Sequence, residues 1–152
     1  MQRGFTLIEL LITITIISIV AGMAMPQIAD TVATQELHTF VNNLAADIRG
    51  LQQMSINANG AQVIYTIYLI SGRTPQYNVH NGEKATKIVY LPASVTMTGD
   101  PRPIRYDITG TPSSGAQTIE FLSIRTGQRL YIIVAPVTGR VRVAAVNTGD
   151  LE

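Results

Sequence analysis

The sequence has no cysteine, no tryptophan, only two histidines, and charges on just 14% of its 152 residues. Without cysteine there is no disulfide, no thiol nucleophile and no thiolate-held metal, although the compartment stays open because many exported proteins lack disulfides. The two imidazoles, His38 and His80, stand at unrelated positions without ligand spacing, so neither a zinc site nor any other cofactor is expected. Catalytic patterns are missing too. There is no working pair of carboxylates, no glycine-rich phosphate loop and no serine-centred elbow, which argues against an enzyme. Charge of one sign is also lacking overall, with 11 basic against 10 acidic side chains. Any nucleic-acid or anionic partner would need local asymmetry instead.

What the chain does have is apolar residues, 46% of the total, gathered most densely at the front. In "RGFTLIELLITITIISIVAGMAMPQ" the stretch from Phe5 to Ala29 carries Glu9 as its only charge, and Leu10 to Met25 carries none. A bilayer core of about 30 Å needs about 20 helical residues, so this segment is long enough to span it. A cleaved secretory signal fits less well, because the basic region is only Met1-Gln2-Arg3 and the small-residue cleavage pattern is poor. A plain anchor leaves Glu9 unexplained, since a carboxylate at the centre of a span costs about 2.5–3.5 kcal/mol, less near its edge. Thr6-Leu7-Ile8-Glu9 also reads as a T-x-x-E capping box, with Thr6 as N-cap and Glu9 reaching back to its N–H. On these residues alone, capping and a functional carboxylate both stand.

Proline at 26 cannot donate to the carbonyl of Gly22, and Gly22 adds backbone freedom, so a helix kink is expected between Gly22 and Pro26. Beyond it, Ile28, Val32, Leu37, Val41, Leu44, Ile48 and Leu51 recur three to five apart, the stripe of an amphipathic helix that stops near Asn59 or Gly60. The remainder reads as β. "AQVIYTIYLIS", "TKIVYLP", "VTMT", "PIRYDI", "TIEFLSI", "RLYIIVAP" and "VRVAAV" are strand-like runs broken by Pro, Gly and Asp, and "TGTPSSGAQ" is loop by composition. The short turns "RTGQ" and "VTGR" suit hairpins. The expected fold is α+β: one long N-terminal helix, half membrane-like and half amphipathic, packed on a C-terminal antiparallel sheet.

"GFTLIELL" resembles the class III prepilin signal of type IV pilins and type II secretion pseudopilins. The resemblance implies that a prepilin peptidase cuts after Gly4 and methylates Phe5. It implies that Glu9, beside Thr6, pairs with the N-terminal amine of a neighbouring subunit during assembly. A carboxylate among packed apolar helices needs a cationic partner, and an incoming amine is one. The leader "MQRG" is short, with a single basic residue. The implied organisation is a leader (1–4), a hydrophobic transmembrane and assembly helix (5–29), an amphipathic half (30–59) and a β-rich domain (60–152). Implied partners are other pilin subunits in a helical filament, the peptidase and an inner-membrane assembly platform. The implied location is the inner membrane before assembly and an extracytoplasmic filament after it. The β-rich layout is similar to the GspH/FimT-type minor pilins and pseudopilins. A major pilin is the other possibility within the family.

Between Phe121 and Gly149 there is no acidic residue, but Arg125, Arg129, Arg140 and Arg142 are present. Two apart in an extended strand, Arg140 and Arg142 share a face, and Arg129 begins the partner strand. Such guanidiniums could bridge successive phosphates of double-stranded DNA. "GRVR" at Gly139 to Arg142 resembles the G-R-x-R motif of FimT-type pilins used in DNA uptake by competent cells. The same arginines could equally keep an edge strand soluble or make subunit contacts.

Overall fold

The structure, a computed structural model, describes residues 5–58 and 64–145, with the backbone alone for 23–26. Gly4, the Asn59 or Gly60 helix stop and the Pro26 side chain lie outside the described residues. The chain divides into two compact units, residues 1–32 and 33–152. Helix α1 (Leu7–Asn57) starts in the first and is assigned as one α-helix without a break.

In the first unit Thr6 is the N-cap. Its Oγ1 accepts from the Glu9 N–H at 3.3 Å and its carbonyl from the Leu10 N–H at 3.3 Å. The hydroxyls of Thr13, Thr15 and Ser18 each donate to the carbonyl four residues back, at 2.9, 2.8 and 2.8 Å. These polar groups are thereby satisfied inside the helix, as an apolar surrounding requires. The aliphatic side chains stand out from it, with Leu7 81% and Ile17 66% exposed. By length and composition this helix is able to cross a membrane.

The second unit packs the rest of α1 against two antiparallel four-stranded sheets. The first sheet has the order β3-β2-β1-β5, from β1 (Tyr65–Ile70), β2 (Gln76–Asn81), β3 (Lys84–Tyr90) and β5 (Ile104–Arg105). The second has the order β4-β6-β7-β8, from β4 (Val95–Thr98), β6 (Gln117–Ser123), β7 (Arg129–Val134) and β8 (Val141–Ala144). Between β4 and β5 the chain leaves one sheet for the other through Asp100-Pro-Arg-Pro, where two prolines withhold the donors that a continued ladder would need.

The amphipathic stripe is buried from Leu37 onward. Leu37, Val41, Leu44 and Ile48 are fully buried, with Leu51 nearly so, whereas Ile28 and Val32 are exposed. Phe40 joins the layers, its ring edge-on to Tyr77 of the first sheet and to Phe121 of the second, both at 5.6 Å. Asp47 ties α1 to the first sheet by accepting from the Tyr77 hydroxyl at 2.6 Å and from Lys87 Nζ at 2.6 and 2.8 Å. Burial, and then the Asp47 bond, push the Tyr77 phenol up.

Candidate functional sites

The last hairpin carries the arginines, and its register sets where they point. Val134 pairs with Val141 and Ile133 with Arg142 across β7 and β8, while Thr118 of β6 pairs with Ile133. Val141 faces the core, so alternation puts Arg140 and Arg142 outside on either side of it. Arg140 precedes β8, but its carbonyl accepts from the Ala135 N–H at 3.0 Å, which continues the pairing by one step. Both arginines line one open groove of about 380 Å³, whose lining also includes Gln117, Thr118 and Ile133. The sequence expectation that Arg140 and Arg142 share a face therefore agrees with their placement.

Arg129 lies elsewhere. It starts β7 opposite Leu122, four residues from Ile133 and so roughly 13 Å along the strand. Its guanidinium pairs with the Glu120 carboxylate at 2.9 Å. A bond with Tyr131, then the field of Glu120, hold it in the charged form above its ordinary value. The neighbouring carboxylate offsets its charge, and it is not among the residues lining the groove.

Polar contacts from α1 and the 106–111 loop fix the turn that presents Arg140. Gln52 Nε2 donates to the carbonyls of Gly110 at 2.8 Å and Thr138 at 3.1 Å. The Tyr106 hydroxyl donates to the Gly139 carbonyl at 3.1 Å, and Arg49 donates to the Val141 carbonyl at 3.1 Å. Burial pushes the Tyr106 phenol up to about 12, so it remains a donor at neutral pH. Gly139 has φ 64° and fits under this clasp only without a side chain, because an added Cβ would lie 2.5 Å from the Gly110 carbonyl oxygen. In "GRVR", then, glycine makes the turn, valine anchors the strand and the two arginines face solvent. Sequence reading missed the clasp, since Gln52, Tyr106 and Gly139 are brought together only by folding.

In the first unit, Glu9 and Thr6 are adjacent on the first turn of α1. One half of the capping box is made, by Thr6 Oγ1 and the Glu9 N–H. The reciprocal half is not: among the described residues the Glu9 carboxylate has no hydrogen-bond or ionic partner, unlike the hydroxyls of Thr13, Thr15 and Ser18. Capping accounts for Thr6 and leaves the Glu9 carboxylate over. Phe5 precedes the helix and is 79% exposed. Among the described residues no cluster of His, Cys, Asp or Glu could hold a metal ion.

Residues 1–25 match the family described as a prokaryotic N-terminal methylation motif. No solved structure matches the chain.

Proposed function

From the class III prepilin signal of type IV pilins and pseudopilins that residues 1–25 carry, we propose that this chain is a minor pilin or pseudopilin of the GspH/FimT type. It is a structural subunit rather than an enzyme. The observation behind this is the join between that motif and a helix whose large apolar side chains, among the described residues of the first unit, are all exposed. As a precursor it sits in the inner membrane through residues 5–29. After prepilin peptidase removes residues 1–4 and methylates Phe5, the assembly platform transfers the helix into a bundle of sister helices. Gly22 and Pro26 are where that helix would loosen during the transfer, because proline contributes no N–H to the ladder. Mass spectrometry of the protein from sheared filaments should show N-methylated Phe5 as the first residue. An intact Met1 there would refute the assignment.

A specific observation favours a second reading, a DNA-binding subunit in natural transformation. Arg140 and Arg142 line one groove with the exposed Thr118 among their neighbours, whose hydroxyl suits phosphate oxygens. Full-length protein in a neutral detergent should bind a random-sequence 30-base-pair duplex in a salt-sensitive way. Arg140→Ala/Arg142→Ala should weaken binding about ten-fold or more, since hydrogen bonds to charged groups contribute roughly 1.5–3 kcal/mol each. Binding unchanged in the double variant would leave these arginines to surface or subunit-contact roles.

A further inference from the structure

The groove does not end at Arg140 and Arg142. Its wall residues Ala116, Gln117 and Thr118 also line a second concavity of about 260 Å³, together with Asp100, Pro101 and Arg102. Arg102 also lines a third, of about 290 Å³, with Pro103, Arg105, Ser113 and Ser114. The first two share Ala116, Gln117 and Thr118 and the last two share Arg102, so the three adjoin in one line. It runs from the last hairpin of the second sheet to β5, the short edge strand of the first.

Arg102 is held in that line by three bonds. Its N–H donates to Gln117 Oε1 at 3.1 Å, its carbonyl accepts from Gln117 Nε2 at 3.1 Å, and its guanidinium donates to the Ala116 carbonyl at 3.0 Å. Arg105 donates to the Tyr68 hydroxyl at 3.2 Å and lies 6.0 Å from the centroid of that ring. Among the described residues these guanidiniums bond to a carbonyl and a phenol, neither of which neutralises a cation. The side chains are thus positioned while their charge stays available, which lowers the ordering cost of binding an anion.

We propose that Arg102 and Arg105 continue the Arg140/Arg142 groove as a single track for consecutive phosphates of a nucleic-acid backbone. The proposal rests on the DNA-binding reading above and extends its site across both sheets. Four guanidiniums strung over three adjoining concavities fit a linear polyanion, whereas a small phosphate ligand would need them to converge on one point. Planar forked donors also match phosphate oxygens better than point charges do. Serine and threonine hydroxyls between them add neutral donors of the kind that contact phosphates and sugars. Asp100, in the middle concavity, is the one carboxylate lining the track among the described residues and works against it.

The test titrates full-length protein in neutral detergent with the 30-base-pair duplex over a range of salt, for four proteins beside the Arg140→Ala/Arg142→Ala variant. Wild type sets the slope of log affinity against log salt. Arg102→Ala/Arg105→Ala should make that slope shallower by about 2, at roughly 0.9 per lost phosphate contact. Arg102→Lys/Arg105→Lys keeps the charge and should keep most of the slope. Asp100→Asn should tighten binding several-fold, a gain that misfolding cannot imitate. If wild type binds through Arg140 and Arg142 but the alanine pair at 102 and 105 and the Asp100 variant both match it, the track is wrong and the shorter groove stands. If the lysine pair falls as far as the alanine pair, the arginines act by holding the 100–117 loops and the proposal is overturned. If wild type does not bind at all, the parent reading fails and the extension with it.

Discussion

A Glu9→Ala chain should enter the membrane as the wild type does and yet be missing from sheared filaments. The cap that starts α1 survives the substitution, because it is the residue-9 backbone N–H that Thr6 holds. Insertion should improve slightly, since a carboxylate in a span costs up to about 2.5–3.5 kcal/mol. What is lost is the one polar side chain between Leu7 and Gly22 that the helix does not satisfy by itself. In a bundle of apolar helices, an incoming N-terminal amine and this carboxylate would be partners, and removing one member of a buried pair costs about 3–5 kcal/mol. That corresponds to a fall in incorporation of at least about a hundred-fold, readable by immunoblot of sheared material against total membrane. Wild-type incorporation would mean that the Glu9 carboxylate has no part in assembly.

The second large effect belongs to Gly139→Ala. Its φ of 64° costs an ordinary residue about 1–2 kcal/mol, and the new Cβ would meet the Gly110 carbonyl oxygen at 2.5 Å, Gln52 Nε2 at 2.6 Å and Tyr106 at 2.6 Å. Forcing a methyl into that contact adds roughly 1–3 kcal/mol, so a total loss of about 2–5 kcal/mol is expected. Gly110→Ala is the internal comparison. Its φ of 81° is similarly left-handed, but its Cβ would meet first the Cδ1 end of the Ile56 side chain, at 2.9 Å, and that end can turn away. Thermal unfolding followed by circular dichroism should therefore show a larger drop in Tm for Gly139→Ala than for Gly110→Ala. Equal drops would mean that the backbone conformation alone sets the cost and that the clasp around Gly139 has slack.

The parts of the fold that depend on local pattern were legible in the sequence. The apolar periodicity from Leu37 to Leu51 is the buried face of α1, and the last hairpin lies where its turn and strands were expected. The pattern fails where it must say what covers a face. Ile28 and Val32 continue the same stripe yet remain exposed. Strand β2 went unread because Gln76, Asn78, His80 and Asn81 are weak strand formers. Between them, Tyr77 is buried and Val79 packs on the core, and Asn81-Gly82, with Gly82 at φ 63°, was an available hairpin signal. One sheet was expected and two form, since no local rule tells which strands of an antiparallel series will pair.

The same limit governs the sites. Glu9 and Thr6 were found as a pair because they are neighbours in sequence, and Arg140 and Arg142 because they alternate along one strand. Arg129 was placed on the right strand, but its separation from that pair and its bond to Glu120 depend on register. Arg102 and Arg105 were invisible as part of any groove. The link of Arg102 to it runs through Gln117, fifteen residues away in sequence and joined to it by side-chain to backbone bonds.

The bond from Arg49 to the Val141 carbonyl closes a loop of 92 residues, and that span sets a timetable for folding. The face of α1 from Leu37 to Leu51 is translated early, but Leu130, Ile132, Val134 and Val141, which cover part of it, come last. At roughly 5–20 residues per second, those greasy turns wait on the order of ten seconds for their partners. Long-range closures of this kind also fold slowly once the chain is complete. For that interval the nascent polypeptide presents an uncovered apolar helix face, which a chaperone or another surface would have to shelter. A premature stop ahead of Leu130 would remove all four of these covering residues and leave that part of the face exposed for good.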